Sequence, residues 1–147
     1  MSSLARFSNR ARIILGLMAV EKGDMEAAAE QYAELVSMKE VLLINFGSMT
    51  RYRMLGILAT AVGKIDEAID HFAAGYQFSK KAGYIPELAW NCCDYADALI
   101  LKNDRKKAKE LLEEGLGITK KLGMKPLRKR IEERLGKVKG KMKLSKK

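Results

Sequence analysis

Asp94 and Asp97 stand three residues apart in Trp90-Asn91-Cys92-Cys93-Asp94-Tyr95-Ala96-Asp97, so a helix here places both carboxylates on one face. Paired carboxylates at that spacing suit general acid–base work. The neighbouring sequence supplies no nucleophile, oxyanion donor or metal ligand set to act with them. His71 is the single histidine, and no second His, Cys or carboxylate pair stands near it at metal-ligand spacing. Cys92 and Cys93 are sequence neighbours, and their side chains leave a helix about 100° apart, so a bridge between them is strained. They read as reduced thiols of a cytosolic helix. Gly63-Lys64 lacks both the glycine five residues earlier and the following hydroxyl of a phosphate loop, because Leu58 and Ile65 hold those positions. No catalytic residue, metal or cofactor is assigned, and the chain is read as a binding protein rather than an enzyme.

The elements that would position these residues are helices. The 147 residues are 48% hydrophobic and 31% charged, the ordinary balance of a soluble globular chain. Prolines occur only at Pro86 and Pro126, and β-branched residues are sparse beside Ala, Leu, Met, Lys and Glu. No apolar run reaches the roughly 18 residues that a membrane span needs. Residues 13–20, behind Arg10 and Arg12, have the look of a signal-peptide core. Glu21-Lys22 follows where a small-residue cleavage site belongs, so the stretch reads as a core helix and the protein as cytoplasmic.

A period of 40 organises the chain. Small residues recur at Gly16, Gly56, Ala96 and Gly136, each preceded by a large apolar residue: Leu15, Leu55, Tyr95 and Leu135. Seven residues later come the breakers Gly23, Gly63 and Asn103; five further on Ala28, Ala68 and Ala108; four beyond those Tyr32, Phe72 and Leu112. This pattern describes helix hairpins, with the small residue on the first helix and the alanine on the second letting the two approach closely. The spacing predicts first helices over about 6–22, 42–62 and 86–102, second helices over about 25–38, 66–82 and 105–121, and a last helix over about 127–143 behind Pro126. Asp24, Asp66 and Asp104 are the expected N-caps. Lys-Lys-x-Gly closes the second and third hairpins at Gly83 and Gly123.

The layout resembles the tetratricopeptide repeat, here with a unit of 40 residues rather than 34. Residues 61–68 and 87–96 look like the long repeats in the C-terminal halves of large bacterial signalling ATPases, including LuxR-type activators and cyclase–ATPase fusions. With no phosphate loop and no room for a DNA-reading domain, the ATPase and activator roles do not carry over. The resemblance implies a single all-α domain over residues 1–147, a superhelix of three antiparallel hairpins (about 9–42, 49–82 and 89–122) with a capping helix and a basic tail at 144–147. It further implies an adaptor that holds a peptide or partner protein on the concave face lined by the first helices, in signalling or transcription regulation. Its groove-facing positions fall here on Arg10, Ile13, Leu17, Thr50, Arg53, Ile57, Thr60, Trp90, Cys93, Asp97, Arg130 and Lys137. Arg53 offers a fork for a carboxylate and Trp90 a broad apolar platform. The plainer alternatives are a core role for Trp90, and solvated side chains or a mutual ion pair for Arg53 and Asp97.

The net charge of +10 is concentrated at one end. Residues 120–147 hold 13 Lys/Arg and 2 Glu, whereas the remainder holds 15 basic and 16 acidic residues. In the final helix, Leu127, Ile131, Leu135, Val138 and Met142 form an amphipathic stripe fit to cover the last hairpin. Arg128, Lys129, Arg134, Lys139 and Lys141 then form a basic patch on its other face. That patch is a solubilising surface, a dock for an acidic protein, or a contact for nucleic acid or anionic membrane. The segment has no aromatic residue for base stacking. Self-association through an uncapped apolar N-terminal end is a further candidate.

Overall fold

A computed structural model describes residues 3–38 and 49–145, with side chains described over 11–38 and 49–144. Seven helices and no strand occur among the described residues. They are α1 (Ser3–Lys22), α2 (Met25–Ser37), α3 (Arg51–Ala61), α4 (Ile65–Ala82), α5 (Ile85–Leu101), α6 (Arg105–Leu122) and α7 (Lys125–Ser145). The all-α fold read from the sequence holds.

The joints explain why these helices end where they do. Gly23, Gly63, Gly83 and Gly123 have φ between 68° and 83°, and Asn103 reaches the same left-handed region at φ 66°. At each joint the next amide closes a reverse bond on the carbonyl five residues back: Asp24 N to Ala19 O, Lys64 N to Ala59 O, Tyr84 N to Ser79 O, Asp104 N to Leu99 O and Met124 N to Thr119 O, at 2.9–3.0 Å. The carbonyl of that same residue then accepts the first bond of the following helix. A left-handed residue and a cap residue thus suffice to turn the chain.

Asp24 and Asp104 cap α2 and α6 by accepting from Ala27 N and Lys107 N, each at 3.1 Å. Asp66 does not cap α4; it lies inside the first turn, one residue past Ile65, and Lys64 occupies the cap position. Its carboxylate still faces the positive end of the helix. The expected start of α3 near residue 42 is also corrected. Residues 39–48 lie outside the described residues, but α3 begins at Arg51, where the Thr50 hydroxyl accepts from Arg53 N at 3.2 Å.

The chain divides into two compact units, residues 1–71 and 72–147, with α4 running through the division. In the first unit α1, α2 and α3 pack on one another. Ala28, Ala68 and Tyr32 are buried, as are Met54, Leu55 and Leu58 of α3. A Cβ on Gly16 would meet Leu58 Cδ2 at 3.2 Å and Gln31 Cβ at 3.3 Å, so this notch sits at a helix crossing. In the second unit α5, α6 and α7 pack on one another. Phe72 stacks on Tyr95 with ring centroids 6.1 Å apart, and Asn91 Nδ2 donates to the Phe72 carbonyl at 2.9 Å. Ala96 and Ala108 are fully buried. Gly136 departs from the pattern, because a Cβ there meets nothing within 4 Å. The close approach in this unit is made instead by Gly115, whose added Cβ would lie 3.1 Å from Ile131 Cδ1 and 3.4 Å from Cys92 Cβ.

Cys92 and Cys93 are fully buried, free thiols, and burial pushes both up to about 12. A thiol-reactive chromogen at about pH 8 should therefore leave the native protein untouched and label both cysteines once denaturant unfolds it. Rapid labelling under native conditions contradicts this packing.

Candidate partner-binding face

In the second unit, charged side chains from two helices meet. Along α5, Trp90, Asp94 and Asp97 follow one another at helical spacing of four and three, and α7 brings Arg130 and Arg134 against them. Arg134 Nε donates to Asp97 Oδ1 at 2.5 Å, and Asp97 holds that guanidinium still more firmly protonated. Arg130 Nη2 lies 3.4 Å from Asp94 Oδ1 and 3.7 Å from Asp97 Oδ2, with its guanidinium carbon 6.0 Å from the centre of the Trp90 ring. The two carboxylates that suggested acid–base chemistry are thus the anchor points of the last helix.

Beside this clamp is a cleft of about 250 Å³ lined by Asp97, Ile100, Arg105, Arg134, Lys137, Val138 and Lys141. Its charge is strongly positive, with four cations to one carboxylate. Arg105 Nε donates to Asn103 Oδ1 at 3.2 Å, whereas its Nη1 is shut off from solvent and has no hydrogen-bond partner. A buried guanidinium nitrogen left without an acceptor is costly, and a carboxylate would satisfy it once the Arg105 side chain turned toward the cleft.

The other residues singled out from the sequence fare differently. The Arg10 side chain lies outside the described residues. Thr50 is 1% exposed with its hydroxyl committed to capping α3, so it is a structural cap rather than a partner contact. Arg53 is 7% exposed, which removes the solvated reading, and Ile13 and Cys93 are buried too. Leu17, Ile57, Trp90, Asp97 and Arg130 are half-buried, as is Thr60, whose hydroxyl donates to the Gly56 carbonyl. Lys137 is exposed on the cleft rim.

The basic patch is smaller than its residue count implied. Arg128 pairs with Glu132 at 2.9 Å, Lys139 with Glu113 at 3.8 Å, and Arg134 with Asp97. Lys129, Lys137 and Lys141 are exposed and have no carboxylate partner among the described residues. The apolar stripe opposite behaves as expected: Leu127, Ile131, Leu135 and Val138 are buried, and Met142 is half-buried.

A polar cluster that sequence reasoning missed lies in the first unit. The Tyr32 hydroxyl donates to Glu67 Oε2 at 2.6 Å and sits 2.9 Å from His71 Nε2. With the hydroxyl hydrogen directed at Glu67, that contact requires the His71 Nε2–H to donate. Burial, reinforced by Arg51, lowers the His71 pKa from its usual 6.5, with Glu67 and Asp70 opposing in part. Below 6.5 the unfolded chain binds a proton that the folded chain resists, so stability falls as the pH drops through 6.5 and levels off beneath the lowered folded value. Urea midpoints taken between about pH 7.5 and about pH 5 should decline in the native protein, and His71→Gln should flatten that decline.

No group of three or more His, Cys, Asp or Glu among the described residues is placed to hold a metal ion. No described helix is long and apolar enough to cross a membrane. No protein-family model matches the chain, and no curated protein is similar to it at a significant level.

Proposed function

We propose that the chain is a protein-interaction module, an adaptor of the tetratricopeptide kind that holds a peptide or partner protein on its first-helix face. The observation that carries this reading is the cationic cleft between α5, α6 and α7, where Arg105 Nη1 has no acceptor and Lys137 and Lys141 have no carboxylate. A partner with an acidic side chain fits that cleft, and Trp90, under the Arg130 guanidinium, offers the neighbouring apolar contact. The repeat spacing adds support, since hairpins of this type serve as scaffolds in the family they resemble. A role in signalling or transcription regulation belongs to the same proposal.

Panning a displayed random-peptide library against the folded chain tests it. Acidic peptides should be enriched, and Trp90→Ala and Lys137→Glu should each weaken their binding at least about tenfold while the helical signal is retained. Equal binding by both variants sinks the reading. A second reading, in which α7 binds nucleic acid or an acidic surface electrostatically, is favoured by the exposed lysines at 129, 137 and 141. Few cations are free, so any affinity for duplex DNA should fall with salt along a shallow slope, about −3 on logarithmic axes for three phosphate contacts.

A further inference from the structure

The residues before and after each small notch tell where one hairpin meets the next. Forty residues apart, the positions of Ile14, Leu15 and Met18 on α1 recur as Met54, Leu55 and Leu58 on α3, as Asp94, Tyr95 and Ala98 on α5, and as Arg134, Leu135 and Val138 on α7. On the three later helices this face is closed. Met54, Leu55 and Leu58 are at most 3% exposed where α1 and α2 pack on α3. Tyr95 and Ala98 are equally buried, with Phe72 of α4 stacked on the tyrosine. Leu135 and Val138 are closed by packing of α7 on α6, and Arg134 is held by Asp97. On α1 the same face is open: Ile14, Leu15 and Met18 are 40%, 54% and 46% exposed. Three adjacent large apolar residues on one helix face make an interaction surface rather than scattered exposure.

The register therefore identifies this stripe as an unfilled copy of the chain's own hairpin-to-hairpin interface. We propose that it is filled by α1 of a second copy, packed about a two-fold axis. Two features select that occupant. The apolar faces equivalent to it within the chain are already covered. Most exposed side chains of α7 are charged, among them Arg128, Lys129, Glu132, Glu133, Lys137 and Lys139, so stacking α1 on that helix would bury charge against an apolar stripe. Like meeting like satisfies both stripes at once, and a two-fold contact closes at the dimer without growing into a filament. This inference is independent of the cleft described above.

Sedimentation velocity over a rising concentration series is the first test, and the full chain should pass from monomer to dimer with no larger species. Leu15→Glu and Met18→Glu should each weaken the dimer at least about tenfold while leaving helical content and the thermal midpoint of the monomer unchanged, since both side chains are largely exposed. The native thiols are buried, so an introduced cysteine reports geometry directly. Under mild oxidation Leu15→Cys or Met18→Cys should link to itself across the axis, whereas Leu122→Cys, exposed in the other unit, should stay unlinked. A monomer at every concentration overturns the proposal. So does a dimer indifferent to both glutamates, or equal cross-linking at positions 15, 18 and 122.

Discussion

Ile131→Asp should cost about 4 kcal/mol or more and release α7 from the rest of the second unit. Ile131 is fully buried, its Cδ1 rests in the notch left by Gly115, and α7 packs chiefly on α6 there. An aspartate in that position meets no cation among the neighbours named, and Leu127, Leu135 and Val138 would lose their cover with it. Limited trypsin digestion should then cut within 125–143, where basic side chains are dense, while Lys129→Asp on the exposed face should change stability by about 0.5 kcal/mol or less. If Ile131→Asp unfolds no more easily than Lys129→Asp, α7 is not docked by this stripe.

Phe72→Ala should be the most damaging truncation among the described residues, at about 3–5 kcal/mol. The ring is 1% exposed, stacks on Tyr95, and lies beside the carbonyl that Asn91 grips. Removing it opens a cavity beside the buried Tyr95 and Asn91. Chemical denaturation should show a lower midpoint with the slope unchanged. A loss below about 1 kcal/mol would mean that the site collapses freely, contrary to the dense packing around a repeat position. Phe72→Leu should recover most of the loss, since Leu112 fills the equivalent place in α6.

The repeat register was legible because it is written in residue types with few substitutes. Ala28, Ala68 and Ala108 are fully buried, and the breakers at 23, 63 and 103 adopt a backbone that most side chains avoid. Asn103 could stand for glycine because its short amide tolerates that region. The cap of α4 was misplaced because Asp66 is the better capping residue by type. The 40-residue register would have put Lys64 there, level with Asp24 and Asp104, and position prevailed over propensity. Gly136 misled in the opposite way, since a matching residue type does not reveal that its face is open to water. Thr50 has the right chemistry for a cap, but the repeat register placed it on the groove face of a helix expected from about residue 42.

The site was less legible, for a physical reason. Spacing of three and four reveals which side chains share a helix face but not what faces them from another helix. Asp94 and Asp97 look alike whether they await a substrate or grip Arg130 and Arg134. The same limit hid the hydrogen bonds of Tyr32 to Glu67 and His71, which lie 35 and 39 residues further along the chain. It also inflated the basic patch, because its carboxylate partners come from α5, from α6 and from α7 itself.

The uniform joints have an evolutionary corollary. Each described corner uses one left-handed residue and one cap residue, and successive corners from Gly63 to Gly123 fall at intervals of 20. A duplication or deletion of 40 residues, cut at any of these corners, would rejoin the polypeptide with an intact corner and its hydrophobic phase preserved. Lengthening such a gene therefore needs no new turn to be invented, and selection is left to act on the few outward side chains that distinguish one unit from the next.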